Sequence, residues 1–246
     1  LVLKILLNLM KLNLLSEKKQ KNLFLREVPF FIKMYFNKKK YVAIIASYNE
    51  ANTLPNIVHK ILKKNIQVIV IDDHSTDNSY KLLQNLDIIL LRNKKRLGYE
   101  KSLNRAFKIA KKKNFKYLVT FDADGQHNTK DINKIFKKLI VNKNMLVVGE
   151  RDKKQRIFEH LFSIYTSKFF KIDDPLSGLK AINLKNIRSK INNSPFSYSG
   201  THILLQCIIK NLKHSTIKIN MNKRKDKSRY ANVFSSNIKI CRSLLN

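Results

Sequence analysis

The chain has 246 residues, with 50 Lys and Arg against 17 Asp and Glu, a formal charge of +33. That length suits one α/β domain, alone or with an appendage. Hydrophobic residues make up 43% of the chain, enough for a core, which excludes global disorder. The charge suggests a polyanionic partner: nucleic acid, an anionic membrane surface or a phosphorylated substrate. Abundant Lys, Asn and Ile beside five Gly, four Pro and no Trp fit a codon bias equally well. Cys207 and Cys241 cannot build a disulfide framework, and no closely spaced Cys/His set suggests zinc. A reducing, intracellular setting is therefore expected.

Residues 1–15 are strongly apolar, with Lys4, Asn8 and Lys11 on one side of a helix and a wide Leu/Ile face opposite. The apolar stretch is shorter than the ~20 residues that span a bilayer. No small-residue cleavage site follows it, so it reads as an amphipathic segment lying in a membrane interface or docked on the protein's own body. Lys18, Lys19, Lys21, Arg26, Lys33 and Lys38–Lys40 extend it to residue 40 as a basic apron. Residues 1–40 are thus expected to be a basic amphipathic helical extension.

From residue 41 the pattern becomes regular. Strands are expected at Tyr41–Ala46, Ile66–Ile71, Leu86–Leu91, Tyr117–Phe121 and Met145–Val148. Helices are expected at Thr53–Lys63, Asp77–Gln84, Tyr99–Lys112 and Lys130–Val141. That alternation predicts a mostly parallel sheet with helices on both faces, whose ligand site lies beyond the carboxyl ends of the strands. The polar clusters fall there: Ser47–Glu50 after the first strand, Asp72–Asp77 after the second, Asp122–His127 after the fourth.

Asp122-Ala123-Asp124 places two carboxylates two residues apart where a strand gives way to a loop, chemistry suited to Mg²⁺ or Mn²⁺ on a substrate diphosphate. Gly125 sits at the fourth position of the run, not the sixth, which excludes an EF-hand. The structural alternative is helix capping, a task that Asn128 or Thr129 already fills. Gln126 adds a neutral oxygen ligand, and His127 reads as a loop residue. Asp72 and Asp73 suit hydrogen bonds to a base or ribose, with Ser75 or Thr76 capping the next helix. Tyr48 and Glu50 suit a nucleotide pocket or, more simply, a polar turn before a helix capped by Thr53. No glycine-rich phosphate loop is present, so phosphates would need a metal and arginine; Arg151, after Gly149-Glu150, is suitably placed.

These motifs, in this order, resemble family 2 glycosyltransferases of the GT-A fold, and among them the polyprenol-phosphate (dolichol-phosphate) sugar transferases. The resemblance rests on AIIASYNEANTL (43–54), VIVIDDHSTDNS (68–79), RLGYEKSLNRAFKIA (96–110), LVTFDADGQH (118–127), VVGER (147–151), DDPLSGLKAI (173–182) and IKINMNKRKDKSR (217–229). It implies that Ala46, Tyr48, Glu50, Asp72, Asp73, Asp122 and Ala123 line the nucleotide-sugar pocket. It implies that Asp122, Asp124 and Gln126 hold the metal and diphosphate. Arg151 and Arg224 would face donor or acceptor phosphates, and Asp173–Gly178 would form an acceptor-side loop. Asp124 and Asp174 are the expected catalytic acids, with Asp174 as general base if the acceptor is a hydroxyl. The chain departs from the pattern with Ala46 in place of proline, His74 where glycine is common, Glu100 where a second glycine or small residue often lies, and His202 where glutamate is frequent.

The remaining side chains read as packing: Cys207 in the core, and Phe158, Phe162, Tyr165, Phe169 and Phe170 at helical spacing. The expectation is an inverting, metal-dependent transfer of sugar from a nucleotide diphosphate-sugar to a polyprenyl phosphate or a saccharide, in envelope glycan assembly. The domain would span 41–230, with a C-terminal helix at 231–246. No membrane helix follows the domain up to Asn246, so the enzyme would be cytoplasmic and peripheral on the inner face of the plasma membrane. A nucleic-acid-binding protein would need a binding motif or exposed aromatics interleaved with bases, and neither is found. A non-catalytic nucleotide-sugar-binding module is the other alternative, prompted by His202 and opposed by the intact Asp122 and Asp124.

Overall fold

The computed structural model describes residues 37–152, 157–185 and 200–222. Most of the expected N-terminal extension, the C-terminal helix and Arg224 lie outside these residues.

Seven strands form one sheet: β1 (Tyr41–Ser47), β2 (Gln67–Asp72), β3 (Ile89–Arg92), β4 (Tyr117–Thr120), β5 (Leu146–Arg151), β6 (Lys180–Asn183) and β7 (His214–Ile219). Their order is β3-β2-β1-β4-β6-β5-β7. β6 runs antiparallel to both β4 and β5, and every other pairing is parallel. The sheet is mostly parallel, as expected, with one reversed strand inserted between β4 and β5.

Helices α1 (Leu54–Leu62), α2 (Tyr99–Lys112), α3 (Asp131–Val141), α4 (Ile157–Phe170) and α5 (Gly200–Ile209) connect the strands. Strand residues alternate between faces. Val42, Ile44, Ala46, Ile69 and Ile71 share one buried cluster with Leu103, Ala106, Phe107 and Ala110 of α2. Phe170 and Cys207 join that cluster, and burial pushes the Cys207 thiol up to about 12. Tyr41, on the opposite face, stacks on Tyr117 at 5.1 Å and meets Phe136 of α3 edge-on at 5.3 Å. Helices thus cover both faces, and β1 is buried along its whole length.

Four local expectations are corrected. The Asp77–Gln84 segment is not a helix but a single 3₁₀ turn at Lys81–Leu83, with no side-chain cap from Ser75 or Thr76. The short polar side chains before it bond across to the β1 loop, which competes with helix formation. The third strand begins at Ile89, because turn bonds from Leu86 N–H to Leu83 and from Ile88 N–H to Leu86 occupy the residues before it. α3 starts after Lys130 without a side-chain cap, although Asn128 Oδ1 accepts from Lys130 N–H at 2.9 Å. Likewise Thr53 does not cap α1; its hydroxyl has another partner, described below.

Candidate active site

The loops that follow β1 and β2 are joined into one wall. Asn49 N–H donates to Ser75 Oγ at 2.9 Å, Thr76 N–H to Asn49 Oδ1 at 2.7 Å, and Glu50 N–H to Ser79 Oγ at 2.8 Å. Ala46 and Glu50 are buried within it. The Tyr48 ring lies under the Arg96 guanidinium, 4.1 Å from its centroid. His74 takes a φ of +66°, the left-handed region that glycine favours.

Asp72 and Asp73 do different work. Asp73 accepts from Leu97 N–H, Gly98 N–H and Asn93 Nδ2, each at 2.8 Å, and from Ser102 Oγ at 3.0 Å. Burial alone would raise its pKa, but these four donors hold the carboxyl below the ordinary value. Asp73 therefore anchors the 93–98 loop. Asp72, 1% exposed, uses Oδ2 for Ser75 N–H at 3.1 Å and Arg92 Nε at 3.2 Å. Its Oδ1 is buried without a hydrogen-bond partner, and so is Ser47 Oγ, on the register-paired residue of β1. Unsatisfied buried acceptors are costly and rare in folded proteins.

Beyond β4, Asp122 accepts from the Tyr99 hydroxyl at 2.9 Å and lies 3.1 Å from His127 Nε2. Burial would raise its pKa; the contacts with His127 and Tyr99 and the nearby Lys180 bring it below the ordinary value. Its side chain keeps 27% exposure, so an ionised carboxylate faces the strand ends. Asp124 is half-buried, and its Oδ1 accepts from Gln126 N–H at 3.0 Å. Two neighbours hold this turn. Thr53 Oγ1 donates to the Ala123 carbonyl at 2.6 Å, and Asn222 N–H to the Gln126 carbonyl at 2.8 Å. Gly125 has φ +78°, and a β-carbon there would stand 3.3 Å from Thr53 Cγ2.

The acceptor-side loop closes against the same edge. Asp174, 2% exposed, is gripped by Arg151: Nε to Oδ2 at 2.7 Å, Nη2 to Oδ1 at 2.9 Å, and Arg151 N–H to Oδ2 at 3.1 Å. Lys180 of β6 is also buried, and its ammonium donates to the Ser177 carbonyl. Burial pushes Lys180 down to about 8, against the pull of Asp174 and Asp122. Sequence reasoning missed this lysine, whose only signal is a charged residue at the start of an apolar KAI run.

Comparisons with known proteins now bear on this geometry. Residues 42–207 match the model of glycosyl transferase family 2. The chain belongs to that family. A UDP-N-acetylglucosamine–dolichyl-phosphate N-acetylglucosaminyltransferase of Methanococcus voltae is 27% identical over 170 residues, 57% of this chain and 68% of that protein. A dolichol-phosphate mannosyltransferase of Pyrococcus furiosus is 27% identical over 202 residues, 73% of this chain and 55% of that protein. Among solved structures, glucosyl-3-phosphoglycerate synthase of Mycobacterium tuberculosis with Mn²⁺, UDP and phosphoglyceric acid superposes with a TM-score of 0.69. The two share 13% identity over 88% of this chain and 80% of that one, a likeness of fold. Mannosyl-3-phosphoglycerate synthase of Rubrobacter xylanophilus gives 0.63, at 15% identity over 83% and 74%.

For a family 2 glycosyltransferase the donor set fits a hard divalent cation. Among the described residues no three His, Cys, Asp or Glu side chains cluster as a metal cage. A cation that bridges a diphosphate needs only one or two carboxylates, the substrate supplying further oxygens. Asp124, partly exposed, and Asp122 could provide them, and Gln126 stands in the same loop.

Proposed function

We propose that this family 2 glycosyltransferase moves a sugar from a nucleotide diphosphate-sugar to a polyprenyl phosphate at a membrane surface, with inversion. The observation that carries the acceptor half is the two-bond grip of Arg151 on Asp174. An acid whose two oxygens are both held by a guanidinium is poorly placed to take a proton. A phosphate acceptor asks for none, because it is already anionic. The dolichyl-phosphate substrates named for the relatives from Methanococcus voltae and Pyrococcus furiosus support the same choice.

In this reading Tyr48, Glu50 and the buried, unpartnered Oδ1 of Asp72 receive the base and ribose, and Asp73 keeps the adjoining loop in place. Asp122, Asp124 and Gln126 would hold Mg²⁺ or Mn²⁺, which would supply positive charge to neutralise the leaving diphosphate. Arg151 and Arg224 orient phosphate oxygens. An oxygen of the acceptor phosphate attacks the anomeric carbon from the face opposite the leaving group. The bond from that carbon to the donor's diphosphate breaks, and its electron pair departs with the nucleoside diphosphate. Asp174 positions Arg151.

Residues 41–230 would then form the catalytic domain, with the basic residues of 1–40 attaching it to an anionic leaflet on the cytoplasmic side. No helix among the described residues is long and apolar enough to cross a membrane. Incubation with UDP- or GDP-sugars, Mn²⁺ and a polyprenyl phosphate, with mass detection of the glycolipid, tests the proposal. A glycosylated lipid phosphate is expected; transfer to soluble saccharides alone would overturn the acceptor assignment.

A further inference from the structure

Glu150 and Lys218 are register partners on the parallel strands β5 and β7. Lys218 Nζ lies 3.2 Å from Glu150 Oε2 and donates to Asp173 Oδ2 at 2.6 Å. Glu150 is 2% exposed, and its other oxygen, Oε1, accepts from the backbone N–H of Asp173 at 2.6 Å. Ser167 of α4 completes the set by donating to Asp173 Oδ1 at 2.7 Å. The hydrogen bonds to Asp173 and Glu150 hold the Lys218 ammonium above its ordinary pKa.

The arrangement runs in step along β5. Glu150 holds Asp173, and the next residue, Arg151, holds the next acid, Asp174. A buried carboxylate that neither faces the donor wall nor sits among the metal ligands needs a reason to be there, because burying charge is expensive unless it is paired. The reason on view is the start of the acceptor-side loop: Glu150 and Lys218 fix its first residue from two strands.

We propose that Glu150 and Lys218 are positioning residues that set the place of the 173–178 loop and, through it, affinity for the acceptor but not for the donor nucleotide. The inference rests on the acceptor reading above, and its test separates the two. The full chain is compared with Lys218→Met, Glu150→Gln and the conservative Lys218→Arg in two measurements. Amide hydrogen exchange should quicken at 173–178 in the first two variants, stay unchanged at 93–98, and return to normal in Lys218→Arg. With polyprenyl phosphate as acceptor, KM for that lipid should rise about tenfold, the scale of one charge-assisted hydrogen bond. Binding of UDP or GDP with Mn²⁺ should stay within about twofold. Unchanged exchange at 173–178, or nucleotide affinity falling in parallel with acceptor affinity, would overturn the inference. Absence of lipid glycosylation by the unmodified chain would overturn the acceptor reading instead, and loop exchange alone would then decide the positioning role.

Discussion

A β-carbon placed on Gly178 would stand 1.9 Å from Oδ2 of Asp122, so the acceptor-side loop packs its backbone directly on the first carboxylate of the Asp-x-Asp turn. Thr120 reinforces the contact by donating from Oγ1 to the Gly178 carbonyl at 2.5 Å. The halves of the site expected to serve donor and acceptor therefore share one contact surface at Gly178, the end of the loop that Thr120 holds, whereas Glu150 and Lys218 hold its first residue, Asp173. No side chain can enter that surface without moving Asp122.

Gly178→Ala tests that contact. Overpacking costs roughly 1–3 kcal/mol, and here the displaced atoms belong to the carboxylate proposed to hold the metal. The melting temperature should fall by several degrees, and Mn²⁺-dependent nucleotide binding should weaken even where the variant remains folded. Thermal melts with and without UDP or GDP and Mn²⁺ measure both effects; unchanged binding would place Asp122 outside the metal site.

Asp73→Ala should be more damaging than its distance from the chemistry suggests. It strips one acceptor from four donors at Leu97, Gly98, Asn93 and Ser102, at a cost of roughly 3 kcal/mol. The acid limb of stability should change as well. Because the folded carboxyl titrates below its unfolded value of about 3.9, its contribution is complete above that value and is lost as pH falls through the lower folded pKa. Denaturant titrations between pH 2 and 6 should show this loss in the parent chain, with a shallower acid slope in Asp73→Asn.

Asp174 separates two roles. As a general base for a hydroxyl acceptor, its replacement by Asn would remove a contribution of roughly 10²–10⁴ in rate. As the partner of Arg151, Asp174→Asn keeps one oxygen acceptor for the guanidinium, and kcat should fall about tenfold or less. Arg151→Ala should be the worse change. It leaves Asp174 buried without its cation, which costs about 3–5 kcal/mol, and it removes a proposed phosphate contact. Steady-state kinetics and chemical denaturation of the two variants distinguish the roles.

β1 and β2 were legible in the sequence because these strands are buried on both faces. Tyr41–Ala46 and Ile66–Ile71 read as uninterrupted apolar runs, and the polar clusters at their ends mark the sheet edge where the site lies. β6 escaped notice for a physical reason. Lys180-Ala181-Ile182-Asn183 is short and begins with a lysine that is tolerated inside only because Asp174 and Asp122 lie near it, a compensation invisible in one dimension. The same holds for Asp174, whose Arg151 partner is 23 residues away, and for Asp73, whose donors at Asn93, Leu97, Gly98 and Ser102 lie 20 or more residues along the chain. At Asp77–Gln84 a helical pattern lost to hydrogen bonds between two loops.

Nucleotide-dependent sugar transfer in the parent chain and in Asp124→Ala tests the account most directly. With UDP- and GDP-sugars, Mn²⁺ and a polyprenyl phosphate, the parent should yield a glycosylated lipid phosphate. The variant should fold, yet lose at least about a hundredfold in rate, the scale of removing one electrostatic contact at a reacting centre. Full activity in Asp124→Ala, or a parent chain that neither binds nucleotide-sugar nor transfers it, would contradict the account.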